Sequence, residues 1–358
     1  MSTNRLYDTW LRRICELRPH QRITQIRNFV WLMIGIFESH SVTLSKVAGK
    51  IPGSAKLLSS TKRLSRFLEN PAIRVREWYQ PIAQQWLEAQ AECLGEIRLI
   101  VDGTQVGFSH QLLLVSLAYR KRAIPLAWTW VKYVKGHSRA LKQLALLASV
   151  RRLLPPGIAV FLVGDCEFGS VEVLKQLDSW HWFYALRQKS DTCLWLSSST
   201  EWKPFRGFIQ KPGQSFWLGA GYLTAKEIYP THLLIHWDPG EKEPWCLATN
   251  LPDREMTLRY YRRRMWCEEL HGDLKDHGFD LESTMLHSFE KLSRLTLAVA
   301  FLYVWLMAVG GRTIQDGLRH LVDRHDRRDL SIFQIGLRFM ERRLTNDLSV
   351  QVPLISHL

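Results

Sequence analysis

A mixed α/β sheet, interrupted by a mostly β insertion and preceded by an all-helical region, is the architecture that three features of this sequence predict. Apolar residues recur with a helical period up to about residue 93, change to short β-type runs from Glu96, and then alternate between strand and helix. A stretch rich in Ser, Gly, Pro and aromatics, 189–250, separates those elements from a second helical block. At 358 residues the chain exceeds the usual limit of a single core, so two or three domains are expected. With 46% hydrophobic and 23% charged residues it is globular rather than disordered.

In the N-terminal region, 1–93, Ile23, Ile26, Val30, Met33 and Ile34 lie at helical spacing and predict a helix over 21–38. A second helix covers about 43–50 and is stopped by Pro52-Gly53. A third is expected to start at Ser60 or Thr61, both good N-caps, and to run to Asn70 before Pro71. Its polar side offers Lys62, Arg63 and Arg66. Helix, turn and basic helix together are compatible with a reader of the DNA major groove, a pattern that any small helical bundle can also produce. Residues 72–93 form a further helix leading into the next domain.

From Glu96 the runs Ile97 to Val101, Leu112 to Tyr119 and Ala123 to Val131 predict three antiparallel strands with tight connections. A helix at about 137–154 ends at Pro155-Pro156-Gly157; a buried strand from Ile158 to Val163, a helix over 171–179 and a strand over 182–187 follow. The order βββαβαβ is the skeleton of a ribonuclease H-like domain, a mixed sheet with helices on both faces. Its first part is 94–188. The insertion 189–250 carries short alternating runs such as Ser215 to Leu218 and His232 to Trp237. The second part of the core, 251–311, holds the apolar helix 288–309, and a basic helical region, 312–358, includes Arg338, Arg342 and Arg343.

The formal net charge of +14 favours a polyanionic partner, nucleic acid or an anionic membrane surface. Residues 1–80 hold 14 Lys and Arg against 5 Asp and Glu, so the N-terminal quarter is the expected docking platform. Fifteen tryptophans offer surfaces for stacking on unpaired bases, although most of them are expected in cores. The six cysteines form no C-x-x-C pair, so neither a zinc site nor a disulfide framework follows, and a reducing cytoplasm fits best. No signal peptide is recognisable, and the apolar run Leu295 to Ala308 is too short to span a bilayer, so no membrane role is expected.

Three carboxylates draw the elements together. The strand Arg98 to Val101 ends in Asp102-Gly103, which alone reads as a hairpin turn. The strand Ala159 to Val163 ends in Gly164-Asp165, where an Asp alone reads as the cap of the next helix. The third is Glu268. In a helix at about 100° per residue, Tyr261, Arg264, Glu268 and Lys275 fall at roughly 0, 300, 340 and 320°, opposite an apolar stripe of Trp266, Leu270 and Leu274. That face reads either as a solvated i,i+4 ion pair of Arg264 and Glu268 or as a binding surface. In a sheet of this order the first and fourth strands are neighbours, so Asp102 and Asp165 emerge side by side with the late helix lying across them. Carboxylates converging away from water repel unless divalent cations neutralise them, and oxygen ligands indicate two Mg²⁺ or Mn²⁺ ions. Such a pair clamps the attacking and leaving oxygens of an in-line phosphodiester displacement.

With these residues in view the chain resembles the DDE transposases of the bacterial insertion-sequence-four family. Their signature, Tyr-x2-Arg-x3-Glu-x6-Lys, is met by Tyr261, Arg264, Glu268 and Lys275. Val101 to Thr104, Val163 to Gly169 and Trp245 to Asn250 resemble the two aspartate segments and the strand closing the β insertion. The resemblance implies that Asp102, Asp165 and Glu268 are the metal-binding catalytic triad. It implies that Arg264 and Lys275 hold the DNA backbone, that Tyr261 packs beside them, and that Trp245 stacks on a base flipped from the cleaved end. It further implies double-stranded DNA as partner, both terminal inverted repeats and target, a homodimer pairing two ends, cut-and-paste chemistry through a hairpin, and a cytoplasmic, nucleoid-associated protein. A metal-dependent nuclease without strand transfer and an idle DNA-binding regulator are the alternatives. Two features depart from the pattern: only eleven residues separate Thr249 from Tyr261, and Gly272 interrupts the helix before Lys275.

Overall fold

The computed structural model describes residues 2–107, 109–132, 138–209 and 211–356. They form two compact units. One comprises Met1–Ala89, Gln105–His110 and Leu270–Leu358; the other comprises Gln90–Thr104 and Gln111–Glu269.

The first unit opens with five helices: α1 (Ser2–Leu17), α2 (Ile23–Ser39), α3 (Leu44–Ala48), α4 (Leu57–Glu69) and α5 (Val75–Leu94), the last continuing into the second unit. Helix α1 is absent from the sequence expectations, yet Leu6, Trp10 and Ile14, four residues apart, are fully buried. Helix α4 begins three residues before the expected caps, because the Thr61 hydroxyl donates back to the Leu57 carbonyl inside the helix instead of capping it. Helix α5 begins later than expected, since Ala72 N–H is taken by the Asn70 side chain in a local turn.

The second unit is built on one ten-stranded sheet. Its elements in chain order are β1 (Glu96–Val106), β2 (His110–Tyr119), β3 (Arg122–Lys132), α6 (Ala140–Arg151), β4 (Ala159–Gly164), α7 (Val171–Ser179) and β5 (Phe183–Gln188). Then come β6 (Cys193–Leu196), β7 (Lys203–Pro204), β8 (Ser215–Leu223), β9 (Tyr229–His236), β10 (Trp245–Thr249), α8 (Arg254–Tyr261) and α9 (Trp266–Leu274). The strand order is β3-β2-β1-β4-β5-β10-β9-β8-β6-β7. Strands β2 and β3 are joined by Arg120 and Lys121 alone, both at positive φ (44° and 61°), the hairpin turn whose twist matches an antiparallel pair. Strands β1, β4 and β5 run parallel, as crossovers through α6 and α7 require. The first five strands with their helices are the expected ribonuclease H-like arrangement. The insertion is no separate sheet: β10 pairs antiparallel with β5 and extends the same one.

The first unit is completed by α10 (Phe289–Gln315) and α11 (Ile332–Thr345). At 27 residues, α10 outruns the expected 288–309 and is long and apolar enough to cross a membrane, but 94% of its most apolar window is buried within the fold. It is a core helix. Buried Arg294 donates to the carbonyls of Leu68 and Ile73 at 2.7 and 3.2 Å, satisfying acceptors at and just beyond the end of α4. Where α10 crosses α11, a Cβ on Gly310 would run into the Ile332 carbonyl and one on Gly336 into that of Leu306. Only glycine lets these backbones touch.

Candidate active site

The sheet register brings two aspartates together. Val101 pairs with Gly164 across parallel β1 and β4, so the residues that follow, Asp102 and Asp165, stand at the same level on adjacent strands. A side chain on Gly164 would collide with Val101, so glycine keeps the two strands close at this level. Strand β1 continues to Val106, which removes the hairpin-turn reading of Asp102-Gly103. Asp165 makes no side-chain capping bond either; Ser170 is the residue that caps α7, accepting from Val173 N–H. The turn carrying Asp165 is braced by Glu167, whose carboxylate accepts from Gln111 at 2.7 Å and from Ser138 N–H at 2.8 Å.

The third carboxylate arrives through α8 and α9. Asp253 caps α8, accepting from Met256 N–H at 2.7 Å. The Tyr260 ring lies flat on Phe161 of β4 at 4.1 Å, and its hydroxyl donates to Glu96 at 2.7 Å. Of the short connection after Thr249, the stretch Arg254–Tyr261 is helix α8. Residues 261–275 are not one helix, as the expected angles assumed. A 3-10 turn, Arg262–Met265, separates α8 from α9 and overwinds the chain. Three residues apart in such a turn, Tyr261 and Arg264 keep to one side, but that side is not open: Tyr261 is 2% exposed.

Arg264 points into the carboxylates. Its Nη2 is 3.3 Å from Asp102 Oδ2 and 3.7 Å from Asp165 Oδ2, and its Nη1 is 3.0 Å from Glu268 Oε1. One guanidinium thus reaches all three acids, and it is 12% exposed. From β5, Arg187 adds a second cation at 3.9 Å from Asp165 Oδ1. Burial pushes the Asp102 carboxyl above the usual carboxylate range, even against the pull of Arg264 and a bond from Cys267. At Arg264 burial works against the charge, but Asp102 and Asp165 outweigh it and hold the guanidinium firmly protonated. Burial thus disfavours the Asp102 charge, while the neighbouring acids favour that of Arg264.

This donor set fits a hard divalent cation. It offers carboxylate oxygens from three different elements, and Asp165 Oδ1 is buried with no hydrogen-bond donor among the described residues.

The remaining expected site residues are distributed differently. The Trp245 indole, 9% exposed, meets the Tyr261 ring edge-on at 5.0 Å and the His236 ring at 5.5 Å. Protein rings thus surround this indole in the DNA-free structure. Lys275 follows the last residue of α9 and belongs to the first unit, where its ammonium pairs with Glu282 at 2.7 Å and donates to the Gln105 carbonyl at 2.8 Å. Gly272 stays helical and fits for a steric reason, since a Cβ there would approach His277 Nδ1 to 3.1 Å. Lys62, Arg63 and Arg66 are exposed on α4, opposite buried Leu64 and Leu68. Arg63 and Arg66 line a cavity of about 310 Å³ with Arg22, Gln25, Asn28 and Asn70.

Two neighbours of the acids escaped the sequence reading. Arg187 is foreshadowed only by the parallel register, which sets it one residue beyond Leu186, the partner of Gly164. Cys267 lies beside Glu268 in sequence, and its buried thiol donates to Asp102 Oδ2 at 2.8 Å. Burial, then the Asp102 charge, push that thiol well above the usual cysteine range, so it stays protonated.

Over residues 95–305, more than half its length, the chain matches the family model of the transposase DDE domain. Among solved structures it is similar to piggyBac transposase in the cryo-EM structure of its synaptic complex with hairpin DNA. The identity is 10% and the TM-score 0.40, covering 98% of this chain and 82% of that one. No curated protein matches the sequence. The family match begins one residue before β1, ends within α10, and encloses Asp102, Asp165 and Glu268. The chain therefore belongs to the transposases that share the DDE domain.

Proposed function

We propose that this transposase works by cut and paste in the manner of the insertion-sequence-four family, with Asp102, Asp165 and Glu268 as its catalytic, metal-holding residues. The observation that carries this reading is the single Arg264 guanidinium within 4 Å of all three acids, at 3.3, 3.7 and 3.0 Å. Side chains from β1, the turn after β4, and α9 thus meet at one point, as a site whose divalent cations bridge several carboxylates needs them to. When bound, two Mg²⁺ or Mn²⁺ ions would supply the charge that activates the attacking oxygen and neutralises the leaving one.

The chain's own groups do the rest. Arg264 keeps the acids together in the resting protein and, with two forked N–H donors, would then hold the phosphate beside the scissile bond. Tyr261, wedged against Trp245, fixes the level at which the 3-10 turn presents Arg264. The helical region 1–93, with Lys62, Arg63 and Arg66, would dock the duplex through its phosphates, and Lys275 would add a backbone contact. In the first step water attacks phosphorus at the element's terminal repeat and the P–O3′ bond breaks, leaving a 3′-hydroxyl and a 5′-phosphate. That hydroxyl attacks the opposite strand, closing a hairpin and releasing the flank; a second water reopens it. The 3′-hydroxyl then attacks a target phosphodiester, whose own P–O3′ bond breaks and leaves a target 3′-hydroxyl. A homodimer pairing two ends in the cytoplasm, at the nucleoid, is the expected working unit.

The test is a duplex made from the DNA flanking the gene, incubated with the protein and Mg²⁺. Nicked, hairpin and joined products are expected from the wild type, and binding without cutting from Asp102→Asn, Asp165→Asn and Glu268→Gln. Cut products that never join would favour a nuclease, and binding with no metal-dependent nick an idle regulator. Near-wild-type cutting by any of the three variants would refute the triad.

A further inference from the structure

Among the described residues, Cys267 is the cysteine whose sulfur meets the carboxylate cluster. Its Sγ lies 2.8 Å from Asp102 Oδ2, a close approach for sulfur, and both side chains are buried. Arg264 Nη2 faces the same carboxylate at 3.4 Å from Oδ1 and 3.3 Å from Oδ2. The carboxylate is thus gripped on one oxygen by a short, rigid donor and approached across both oxygens by a long, flexible one. Cys267 immediately precedes Glu268, so a single turn of α9 carries one of the acids and the brace of another.

We propose that Cys267 is a positioning residue for Asp102. Its S–H bond fixes the rotation of the carboxylate so that the oxygens facing Arg264 are presented as ligands, which raises the affinity of the site for a divalent cation. The inference rests on reading Asp102 as a metal ligand. A carboxylate free to rotate must be ordered at the moment of binding, whereas one already hydrogen-bonded binds without that loss, and partners of this kind tune metal affinity. The thiol does not act as a small apolar filler, because a filler needs volume alone and Cys267 supplies a donor. Sequence order links this brace to the third acid, so any shift of α9 that moves Glu268 also moves the donor on Asp102.

The experiment separates donor from volume. The full-length, DNA-free protein is titrated with Mn²⁺ and free ion is followed by electron paramagnetic resonance, for the wild type, Asp102→Asn, Cys267→Ser, Cys267→Ala and Cys267→Val. Loss of the donor in Cys267→Ala and Cys267→Val should weaken Mn²⁺ binding by about ten-fold or more, while Cys267→Ser, which keeps it, stays within about three-fold of wild type. Two results overturn the inference: wild-type affinity in both donorless variants, or a serine variant as weak as they are. Asp102→Asn reports on the reading beneath it. Undiminished Mn²⁺ binding there removes Asp102 as a ligand altogether, whereas lost binding there with unchanged Cys267 variants rejects only the positioning role.

Discussion

The crossing of α10 with α11 and the adjoining ends of β1 and β4 both rely on glycine to bring backbones close, yet they spend that closeness in opposite ways. At the crossing, Gly310 and Gly336 let two helices meet among fully buried apolar side chains such as Trp305, Leu306 and Phe333. At the strand ends, Gly164 helps hold β4 against β1 where Asp102 and Asp165 emerge at one level. The first arrangement adds close packing, the strongest source of stability in such a unit. The second concentrates like charge in a poorly solvated place, which costs stability unless a cation answers it. In the resting protein Arg264 answers it. The contrast separates a region organised for stability from one that, on the proposed reading, is organised for chemistry.

The largest expected effect probes the chemical region. Asp102→Asn, Asp165→Asn or Glu268→Gln should slow DNA cleavage by on the order of 1,000-fold or more, corresponding to about 4 kcal/mol of lost transition-state stabilisation. For Asp102→Asn the melting temperature should hold or rise, because burial already disfavours that charge. A melting temperature that falls instead would erase the contrast. Arg264→Ala should destabilise the protein in EDTA by about 3 kcal/mol, since it leaves buried Asp102 without its guanidinium, and by less when Mg²⁺ is added. Denaturant titrations with and without the ion would show this, and equal losses would mean that the guanidinium and the ion do not answer the same charge.

In the packed region, Gly310→Ala or Gly336→Ala should lower stability by about 1–3 kcal/mol through overpacking against a carbonyl. Cleavage per folded molecule should stay the same, as read from initial rates normalised to the folded fraction. The smallest effect concerns the pair His40 Nε2–Glu341 Oε1, 2.8 Å apart and half exposed. The hydrogen bond to Glu341 raises the His40 pKa above its ordinary value. Stability from this pair is therefore complete below the unfolded value, about 6.5, and fades as pH rises through the folded one. His40→Asn tolerates the left-handed backbone there and should cost under about 1 kcal/mol at pH 5.5 and nothing at pH 9. Thermal melts at the two pH values would show it; an equal cost at both would mean the charge is not involved.

The core of the fold was legible because its signals are local. The helix over Val171–Ser179 lies where expected, and the strands differ by a few residues at their ends, since each is a continuous apolar run bounded by turn residues. Helix α1 was equally visible in Leu6, Trp10 and Ile14, but its many charges masked the stripe. The merging of the insertion into the main sheet was not visible, because strand pairing across β5 and β10 is a long-range matter. The depth of the signature was not visible either: Tyr261 lies against Trp245 and Arg264 against Asp102 and Asp165, partners that no local spacing announces. The pairing of Cys267 with Asp102 joins residues 165 positions apart, and no spacing rule announces it.

On the proposed reading, Asp102, Asp165 and Glu268 form one divalent-cation site whose charge Arg264 balances at rest. The most direct measurement is anomalous diffraction from crystals of the protein grown with Mn²⁺. Anomalous peaks bounded by oxygens of these three residues, with the Arg264 guanidinium drawn away from them, are the predicted result. Peaks elsewhere, or Arg264 still bridging all three acids at saturating Mn²⁺, would contradict it.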